Sequence, residues 1–531
     1  MSIVLNLSEH WKTIAADKSV QLLGCIHDLE QHQNALAAVE NIEAWAEKLK
    51  GLAGFFSLVK HEGNTLCAAV DHIRSRPLFY GVNEQGFYLS DSAEWVRQQM
   101  NDTVMDEFAK AEFQLTGYVT GRDTLYKHVK QLQAGECLVY ADHTLAVERY
   151  YSFEHSEPVD YSEAALLDEL DVVAKASIQR LISYANGRQI VIPLSGGYDS
   201  RLIAALLKEA NYDNILTFTY GVKGNKEAAY SKIVADNLGL EWHFVEYTET
   251  LWQAAWHTEE RKRYQREGSN WTSLAHMQDW LAVKIMKEQG MVESDAVFAP
   301  GHSGDMVAGS HIPSFIHEDL TAKYTQDDLV EHLFNKHYCL TQHENVQSSV
   351  SRFKEKIKKS LVLKTAYTAE EFANECEKHN WQNRQSKYIV NSIRVYEFFG
   401  YDWWIPLWDK GFIGFFENLP LELRNHSWYI EYVKYKFNAN VNKPELAGLG
   451  NAGSTGIVGY LSRSSFLKKI KLRDTLRFFY QLLVKCLPIK KDNLLINSAQ
   501  DAEALKELES EGYLMNGITV YFFLEEFQSN H

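Results

Sequence analysis

A turn rich in serine and glycine, Ser195-Gly196-Gly197-Tyr198-Asp199-Ser200, has the residue types of an anion-binding site. Glycine lets a backbone approach a ligand closely, and the N–H groups at the start of a helix carry partial positive charge. The two serine hydroxyls add donors, and the carboxylate of Asp199 is suited to hold a metal ion against phosphate groups. The turn therefore predicts a site for phosphate groups and a divalent cation.

The elements on either side of this turn would hold it in place. Ile190-Val191-Ile192 is an apolar, β-branched run, which predicts a buried parallel strand, and the apolar spacing after Ser200 predicts a helix. The turn differs from the Walker phosphate loop, which has the spacing Gly-x-x-x-x-Gly-Lys. The alternative is an ordinary strand–turn–helix connection, which the agreement of strand, spacing and acid disfavours.

The chain divides into two parts with different patterns. Residues 1–155 contain short apolar runs separated by turn-forming residues, which predict an α+β domain with antiparallel sheets. These runs are residues 22–26, 55–59, 65–70, 78–80, 86–89 and 137–140. Residues 156–531 begin with strands that alternate with helices, which predicts a doubly wound α/β domain, and the pattern beyond about residue 310 is mainly helical.

Composition limits the classes of function. The chain has 531 residues and a formal charge of −16, which argues against general nucleic-acid binding. Its six cysteines lie far apart without a Cys-x-x-Cys spacing, which fits reduced thiols better than a disulfide framework or a zinc site. Because there is neither a signal-peptide pattern nor an apolar run of about 18 residues, we expect a soluble cytoplasmic protein.

Three segments resemble the motifs of a known family. The serine–glycine turn resembles the pyrophosphate loop of ATP pyrophosphatases, Ser-Gly-Gly-x-Asp-Ser. Residues 297–305 resemble a second phosphate-side loop, Gly-x-Gly-Ser-Asp-Glu, and residues 400–409 resemble the segment Gly-x-Glu-x-Arg-x-Pro-Phe-Leu-Asp. In this order, the segments resemble the synthetase domain of the asparagine synthetase family, which includes β-lactam synthetases and lasso-peptide cyclases.

The resemblance implies an α/β ATP-pyrophosphatase fold (adenine nucleotide α-hydrolase-like) and an AMP-forming ligase that uses ATP and Mg²⁺. A substrate carboxylate would attack the α-phosphorus of ATP, and an amine would then convert the acyl-adenylate to an amide. Asp199 and Asp305 match the two metal carboxylates of the family. The positions that match its ATP and pyrophosphate site are Leu194, Ser195, Gly196, Gly197, Asp199, Ser200, Gly221 and Gly301.

Residues 1–155 resemble the family's glutaminase domain, an Ntn-hydrolase-like fold, in a degenerate form. The similarity lies in residues 52–58, 71–80 and 116–136. The family's nucleophile is a cysteine directly after the initiator methionine, where this chain has Ser2, and the glutamine-binding signatures are not recognisable. Loss of glutaminase activity is the simpler interpretation, and Ser2 as an N-terminal nucleophile is the alternative.

The resemblance also suggests two catalytic residues. His302 stands where asparagine synthetases carry Glu and β-lactam synthetases carry Tyr. Because an alkylammonium must lose a proton before it attacks, we expect His302 to act as the general base or to orient the amine; an indirect hydrogen bond or a substrate contact is the alternative. The family's C-terminal lysine aligns near Gly450, so Lys443 is the nearest candidate, and an ordinary surface lysine is the other interpretation.

Three further positions are candidates for substrate contacts. Arg201, at the predicted helix start, would bind an anionic substrate group or pair with a surface acid. Glu227 lies in an acidic turn similar to that of the family. Trp404, which has two tryptophans nearby, would form an aromatic platform for a sugar or an apolar substrate, with core packing as the alternative.

A basic stretch, residues 463–491, interleaves lysine and arginine with apolar residues. Such an amphipathic helix can lie on an anionic membrane surface or contact a partner protein. A solvated helix packed on its own domain is the alternative.

The sequence therefore predicts a glutaminase-inactive, AMP-forming amide ligase in a biosynthetic pathway, such as surface-polysaccharide amidation or specialised metabolism. Its substrates would be small-molecule, peptide or sugar carboxylates and amines. The alternatives are an intramolecular cyclase of the lasso-peptide or β-lactam type, an asparagine synthetase that uses ammonia, and a catalytically silent scaffold. The retention of both Asp199 and Asp305 argues against the scaffold.

Overall fold

The computed structural model describes residues 2–15, 19–39, 41–158, 160–342, 349–362, 364–440 and 502–528. Its strands are β1 (Ser2–Asn6), β2 (Lys12–Thr13), β3 (Val20–Ile26), β4 (Gly54–Glu62), β5 (Thr65–Val70), β6 (Phe79–Val82), β7 (Gly86–Ser90), β8 (Lys130–Gln131), β9 (Glu136–Ala141), β10 (Thr144–Arg149), β11 (Ile190–Pro193), β12 (Ile215–Gly221), β13 (Glu241–Glu246), β14 (Val297–Phe298), β15 (Lys323–Tyr324), β16 (Tyr367–Thr368) and β17 (Asp402–Trp403).

The α-helices are α1 (Leu29–Ala37), α2 (Ile42–Lys50), α3 (Ala93–Gln99), α4 (Glu107–Thr116), α5 (Glu163–Ala185), α6 (Tyr198–Glu209), α7 (Lys226–Leu238), α8 (Glu249–Trp256), α9 (Glu259–Ser269), α10 (Trp280–Glu288), α11 (Gly304–Val307), α12 (Ser314–Glu318), α13 (Gln326–His337), α14 (Val350–Ser360), α15 (Ala369–His379), α16 (Arg394–Phe398), α17 (Lys410–Glu417), α18 (His426–Ala439), α19 (Ala502–Ser510) and α20 (Met515–Gln528). A π-helical stretch, Asn380–Ile389, follows α15, and short 3₁₀ turns lie at Val390–Ile393 and Pro406–Trp408.

Two sheets form the N-terminal part. Four strands lie in the order β1-β7-β6-β8, and six lie in the order β10-β9-β5-β4-β3-β2. The neighbouring strands are antiparallel except for β1 and β7, so the prediction of antiparallel sheets is confirmed with one exception. The six apolar runs of the sequence correspond to β3, β4, β5, β6, β7 and β9.

Alternate residues of strand β4 serve two different cores. Val59 belongs to the core between the two sheets, where it joins Phe87 and Leu89 of the smaller sheet. Leu58, its neighbour in sequence, belongs to the core on the other face, with Trp45 of α2. All of these side chains are buried. Because successive strand residues point to opposite faces, one apolar strand connects a sheet–sheet layer with a sheet–helix layer.

A five-stranded parallel sheet follows, in the order β13-β12-β11-β14-β17. Helices α6, α7 and α10 pack against its strands. The strand order reverses between β11 and β14, and in a sheet of this kind the carboxyl ends of the strands at the reversal flank a ligand-binding crevice. The predicted α/β domain is confirmed.

A buried carboxylate joins the N-terminal part to the helical part. Glu112 of α4 is fully buried and accepts a hydrogen bond from the Thr120 hydroxyl at 2.6 Å. It also accepts hydrogen bonds from the hydroxyl of Tyr338 and from the ammonium of Lys356 on α14, each at 2.8 Å. Because a buried carboxylate needs such donors, these contacts fix the helical part against α4.

The mainly helical character predicted beyond residue 310 is confirmed in the described ranges, and α20 packs against α4 of the N-terminal part. Lys443 and the basic stretch 463–491 lie outside the described residues. Within those that are described, none of the helices has both the length and the apolar character needed to cross a membrane.

Candidate active site

The serine–glycine turn connects β11 to α6 at the carboxyl edge of the parallel sheet. Its own hydroxyl groups fix its shape. The backbone N–H of Gly197 donates to Ser195 Oγ at 3.1 Å, and the N–H of Ser195 donates to Ser200 Oγ at 3.2 Å. Since α6 begins at Tyr198, the turn places a helix N-terminus at the crevice between β11 and β14, which is favourable for an anion.

A second loop, residues 300–305, follows β14 and lies directly against the turn. A Cβ atom at Gly301 would come within 2.6 Å of the backbone nitrogen of Ser200. A Cβ atom at Gly304 would come within 2.7 Å of Asp199 Oδ1. Real Cβ atoms do not approach this closely, so glycine at both positions is what allows the two loops to meet.

Two carboxylates converge where the loops touch. The backbone N–H of Asp305 donates to Asp199 Oδ2 at 3.2 Å. Burial and the neighbouring charge of Asp305 raise the pKa of Asp199 to about 8. A divalent cation would relieve this repulsion, and proteins usually hold Mg²⁺ through one or two carboxylates together with substrate phosphates. No group of three or more His, Cys, Asp or Glu side chains among the described residues is arranged for a metal, so the remaining ligands would be phosphate oxygens and water.

The turn and the second loop open into a cavity of about 360 Å³. The predicted site residues that line it are Ser195, Gly197, Asp199, Ser200, Gly301, His302 and Asp305. Leu194, Gly196 and Gly221 are buried, and each adjoins a lining residue in sequence. The structure therefore brings most of the predicted ATP and metal residues around one space.

His302 lies in the wall of this cavity, within 3.0 Å of the Ser392 hydroxyl through its Nε2 atom. Burial and the neighbouring His276 lower the pKa of His302 to about 4. The imidazole is therefore neutral at pH 7, and it is a much weaker base than an ordinary histidine. This weakens the expectation that His302 is the general base and leaves its hydrogen-bonding roles intact.

Sequence reasoning missed a second histidine in the same wall. Nδ1 of His276 lies 3.0 Å from Oδ1 of Asp279, and the Tyr396 hydroxyl donates to Oδ2 of Asp279 at 3.1 Å. All three residues line the cavity. The signal available in the sequence was the His-x-x-Asp spacing just before α10, but no motif of the family draws attention to it.

Comparison with known families agrees with this arrangement. Residues 185–433 match the asparagine synthase family, and residues 35–151 match a glutamine amidotransferase domain. The chain belongs to the asparagine synthetase-like family. It is therefore an ATP-using carbon–nitrogen ligase with an N-terminal domain of the Ntn amidotransferase type.

No curated protein matches this asparagine synthetase-like chain. Among solved structures, an NH₃-dependent NAD synthetase from Campylobacter jejuni is similar at 13% identity, with 43% of this chain and 96% of that chain covered and a TM-score of 0.22. A glutamine phosphoribosylpyrophosphate amidotransferase from B. subtilis is similar at 8% identity over 52% of this chain and 55% of its own, with a TM-score of 0.18. A U34-tRNA thiolase from Methanococcus maripaludis is similar at 15% identity over 45% of this chain and 82% of its own, with a TM-score of 0.20.

Arg201 supports the turn of this asparagine synthetase-like site from behind. It is fully buried, its Nη2 atom donates to the carbonyl of Gly196 at 3.0 Å, and its guanidinium lies over the rings of Tyr198 and Phe437. The structure therefore places Arg201 in the core behind the turn, rather than in the wall of the cavity or on the surface.

We expect Arg201→Met to lower stability by about 1–3 kcal/mol, because the carbonyl of Gly196 loses a buried donor. The same change should raise the KM for ATP, since the turn is no longer braced. Urea unfolding and ATP-dependent activity measure the two effects. A raised KM for the carboxylate substrate, with stability unchanged, would instead indicate that Arg201 contacts the substrate.

Two other predicted substrate contacts lie away from the cavity. Trp404 is 1% exposed, and its ring lies 4.7 Å from those of Phe55 and Tyr184, between centroids. The aromatic platform is therefore wrong for Trp404, and core packing is correct. Glu227 is exposed in the first turn of α7 and does not line the cavity, so the structure does not bring it to the site.

Proposed function

We propose that this protein adenylates a substrate carboxylate with ATP and Mg²⁺, and then transfers the acyl group to an amine with release of AMP. The observation that carries the proposal is the convergence of Asp199 and Asp305 beside a helix N-terminus at the reversal point of the sheet. A leaving pyrophosphate carries dense negative charge, and this is an arrangement that stabilises it. The pathway we propose is biosynthetic, such as surface-polysaccharide amidation or specialised metabolism.

One group of residues binds the phosphates of ATP, and a second group lies near the reacting carbon. Asp199 and Asp305 would hold Mg²⁺, which would supply positive charge to the pyrophosphate. The N–H groups at the start of α6 and the hydroxyl of Ser195 bind phosphate oxygens. The part of the cavity wall that contains His276 and His302 receives the carboxylate and the amine.

The amine does not come from glutamine in this proposal. The amidotransferase match begins at residue 35, and the hydroxyl of Ser2 donates to the backbone carbonyl of Gln85 at 3.3 Å. Neither observation supplies a nucleophile for glutamine hydrolysis. Free ammonia or a substrate amino group is the remaining source.

We therefore expect no release of glutamate from glutamine, measured by enzyme-coupled assay with and without ATP. Ammonium should support amide formation where glutamine does not, and Ser2→Ala should leave ammonium-dependent activity unchanged. Glutamate release that disappears in Ser2→Ala would show instead that Ser2 is an active nucleophile.

ATP–pyrophosphate exchange tests the proposed function. The wild-type protein is incubated with Mg²⁺, ATP and labelled pyrophosphate against a panel of carboxylates: free amino acids, uronic-acid sugar nucleotides and peptides. Exchange stimulated by one carboxylate, and lost in Asp199→Asn, supports adenylation and identifies the acyl donor. If no carboxylate supports exchange and calorimetry detects no binding of Mg²⁺-ATP, the proposal is wrong and a silent scaffold replaces it.

A further inference from the structure

Two histidines line the cavity, and their surroundings differ. His276 lies in the connection between α9 and α10, and His302 lies in the loop after β14. Both line the same cavity, and His276 is close enough to His302 to contribute to the lowered pKa of His302. An amine that enters this cavity therefore meets two imidazoles, and their environments determine which one can take its proton.

His276 is held by a carboxylate. Its Nδ1 atom lies 3.0 Å from Oδ1 of Asp279, and its backbone carbonyl accepts a hydrogen bond from the Tyr264 hydroxyl at 2.7 Å. A carboxylate beside Nδ1 favours the tautomer with the proton on Nδ1, which leaves the lone pair of Nε2 available. About a quarter of the His276 side chain (24%) is exposed, so Nε2 is not sealed within the core.

Asp279 is itself fixed in place. The side chain is 6% exposed, and its Oδ2 atom accepts a hydrogen bond from the hydroxyl of Tyr396 at 3.1 Å. Tyr396 is fully buried and its ring stacks on Phe298 of β14, with ring centroids 4.3 Å apart. The carboxylate is thus anchored to the central sheet, and through it the imidazole of His276 has a defined orientation.

His302 has no such partner. Its Nε2 contact is the oxygen of the neutral Ser392 hydroxyl, whose one hydrogen is donated to the carbonyl of Ile389 at 2.7 Å. With its pKa lowered to about 4, His302 forms hydrogen bonds as a neutral imidazole but holds an added proton poorly. The comparison favours His276 as the proton acceptor and His302 as a hydrogen-bonding group.

We propose that His276, oriented by Asp279, is the general base that takes the proton from the acceptor amine. The inference rests on the proposed function and assigns the second half of that reaction. The acceptor arrives as a primary ammonium, and Nε2 of His276 takes one proton. The freed lone pair forms the C–N bond to the acyl carbon, the C–O bond to the AMP phosphate breaks, and the second proton passes to solvent.

The proposal defines a chemical class of acceptor. A primary ammonium requires this base, whereas a nucleophile that is already unprotonated at neutral pH does not. Ammonium and hydroxylamine are closely similar in size and differ in this property, because hydroxylamine is much the weaker base. The rate of amide formation from ammonium depends on proton removal, whereas the rate of hydroxamate formation from hydroxylamine does not. A comparison of the two rates therefore separates proton removal from all earlier steps.

The experiment compares both products in wild type and His276→Gln, with the carboxylate that supports pyrophosphate exchange. We expect amide formation from ammonium to fall by about 10²-fold or more, while hydroxamate formation falls less than about threefold. The amide rate of the variant should rise with pH toward the pKa of ammonium, since free ammonia becomes the reactant. Asp279→Asn should show the same selective loss, because the favoured tautomer is reversed.

Two control variants make the comparison specific. His302→Gln removes the other imidazole of the cavity, and the ratio of amide to hydroxamate should change by less than about threefold. His243→Gln removes a histidine that pairs with Glu241 at 2.7 Å on β13, outside the cavity, and should leave both rates unchanged.

Each outcome decides between the proposals. An equal loss of both products in His276→Gln, or a raised KM for ATP with an unchanged product ratio, would overturn the assignment and place His276 in nucleotide binding. A selective loss in His302→Gln would transfer the role to His302. Hydroxamate without amide in the wild type would show that the site contains no working base. Absence of both pyrophosphate exchange and Mg²⁺-ATP binding in the wild type would overturn the proposed function itself, and the inference with it.

Discussion

Asp199→Asn is expected to reduce ATP–pyrophosphate exchange by about 10³-fold or more, because a carboxylate that holds Mg²⁺ contributes several kcal/mol to charge stabilisation. Asparagine has nearly the shape of aspartate and keeps an oxygen that can accept the N–H of Asp305. The fold should therefore remain intact, and removal of one of two neighbouring acidic groups should not destabilise the metal-free protein. Far-ultraviolet circular dichroism and thermal unfolding check this.

The same variant separates metal binding from folding. Mg²⁺-ATP at about 100 times its Kd should stabilise the wild-type protein by about 2.7 kcal/mol, and the variant should show little of this gain. Asp213→Asn, at an exposed position before β12, is the matched control and should behave as the wild type. Exchange near the wild-type rate in Asp199→Asn would contradict the metal role of this carboxylate.

Gly301→Ala is expected to lower activity by about 10²-fold, because a displacement of about 1 Å between the two loops misaligns the reacting groups. The added Cβ atom would lie 2.6 Å from the backbone nitrogen of Ser200 and 3.0 Å from its Cα atom. Neither is the end of a flexible side chain, so the loops must separate. Overpacking of this kind also costs about 1–3 kcal/mol of stability, which urea unfolding measures.

A second glycine provides the control for this substitution. Gly414 lies within α17, and a Cβ atom there would meet nothing within 4 Å. Gly414→Ala should therefore leave activity unchanged and should raise stability slightly, since alanine has the higher helix propensity. If Gly301→Ala were as active as Gly414→Ala, close contact between the two loops would not be required for catalysis.

The sequence predicted the parts of the site that depend on local order. Strand β11, the serine–glycine turn and α6 are consecutive, and a local pattern of apolar residues and glycines describes them fully. Asp305 was predicted because residues 297–305 resemble the second phosphate-side loop of the family. The parallel sheet then brings the two carboxyl ends together, as its strand order requires.

The errors concern residues whose partners are distant in sequence. Arg201 looks like a surface residue at a helix start, and only the packing of Phe437 from α18 over its guanidinium shows that it is buried. Trp404 contacts Phe55, which belongs to the N-terminal part. Such burial depends on how distant parts of the chain pack together. The pattern of apolar residues along one segment gives no information about that packing.

The catalytic candidates show the same distinction. The position of His302 followed from its neighbours in a motif, but its low basicity follows from burial and from His276. His276 and Asp279 belong to no family motif. Their place in the cavity wall depends on Tyr396 of α16, whose hydroxyl donates to the carboxylate of Asp279. When the chemical role of a residue depends on a side chain from another helix or loop, the structure is needed to identify that role.

The transfer of ¹⁸O from the substrate carboxylate to AMP tests the central claim most directly. The carboxylate identified by pyrophosphate exchange is labelled with ¹⁸O and incubated with ATP, Mg²⁺ and ammonium, and the AMP is analysed by mass spectrometry. Adenylation predicts one ¹⁸O atom in each AMP, because the oxygen that attacks the α-phosphorus leaves with it. Unlabelled AMP, or ADP and phosphate as the products, would contradict the adenylating ligase.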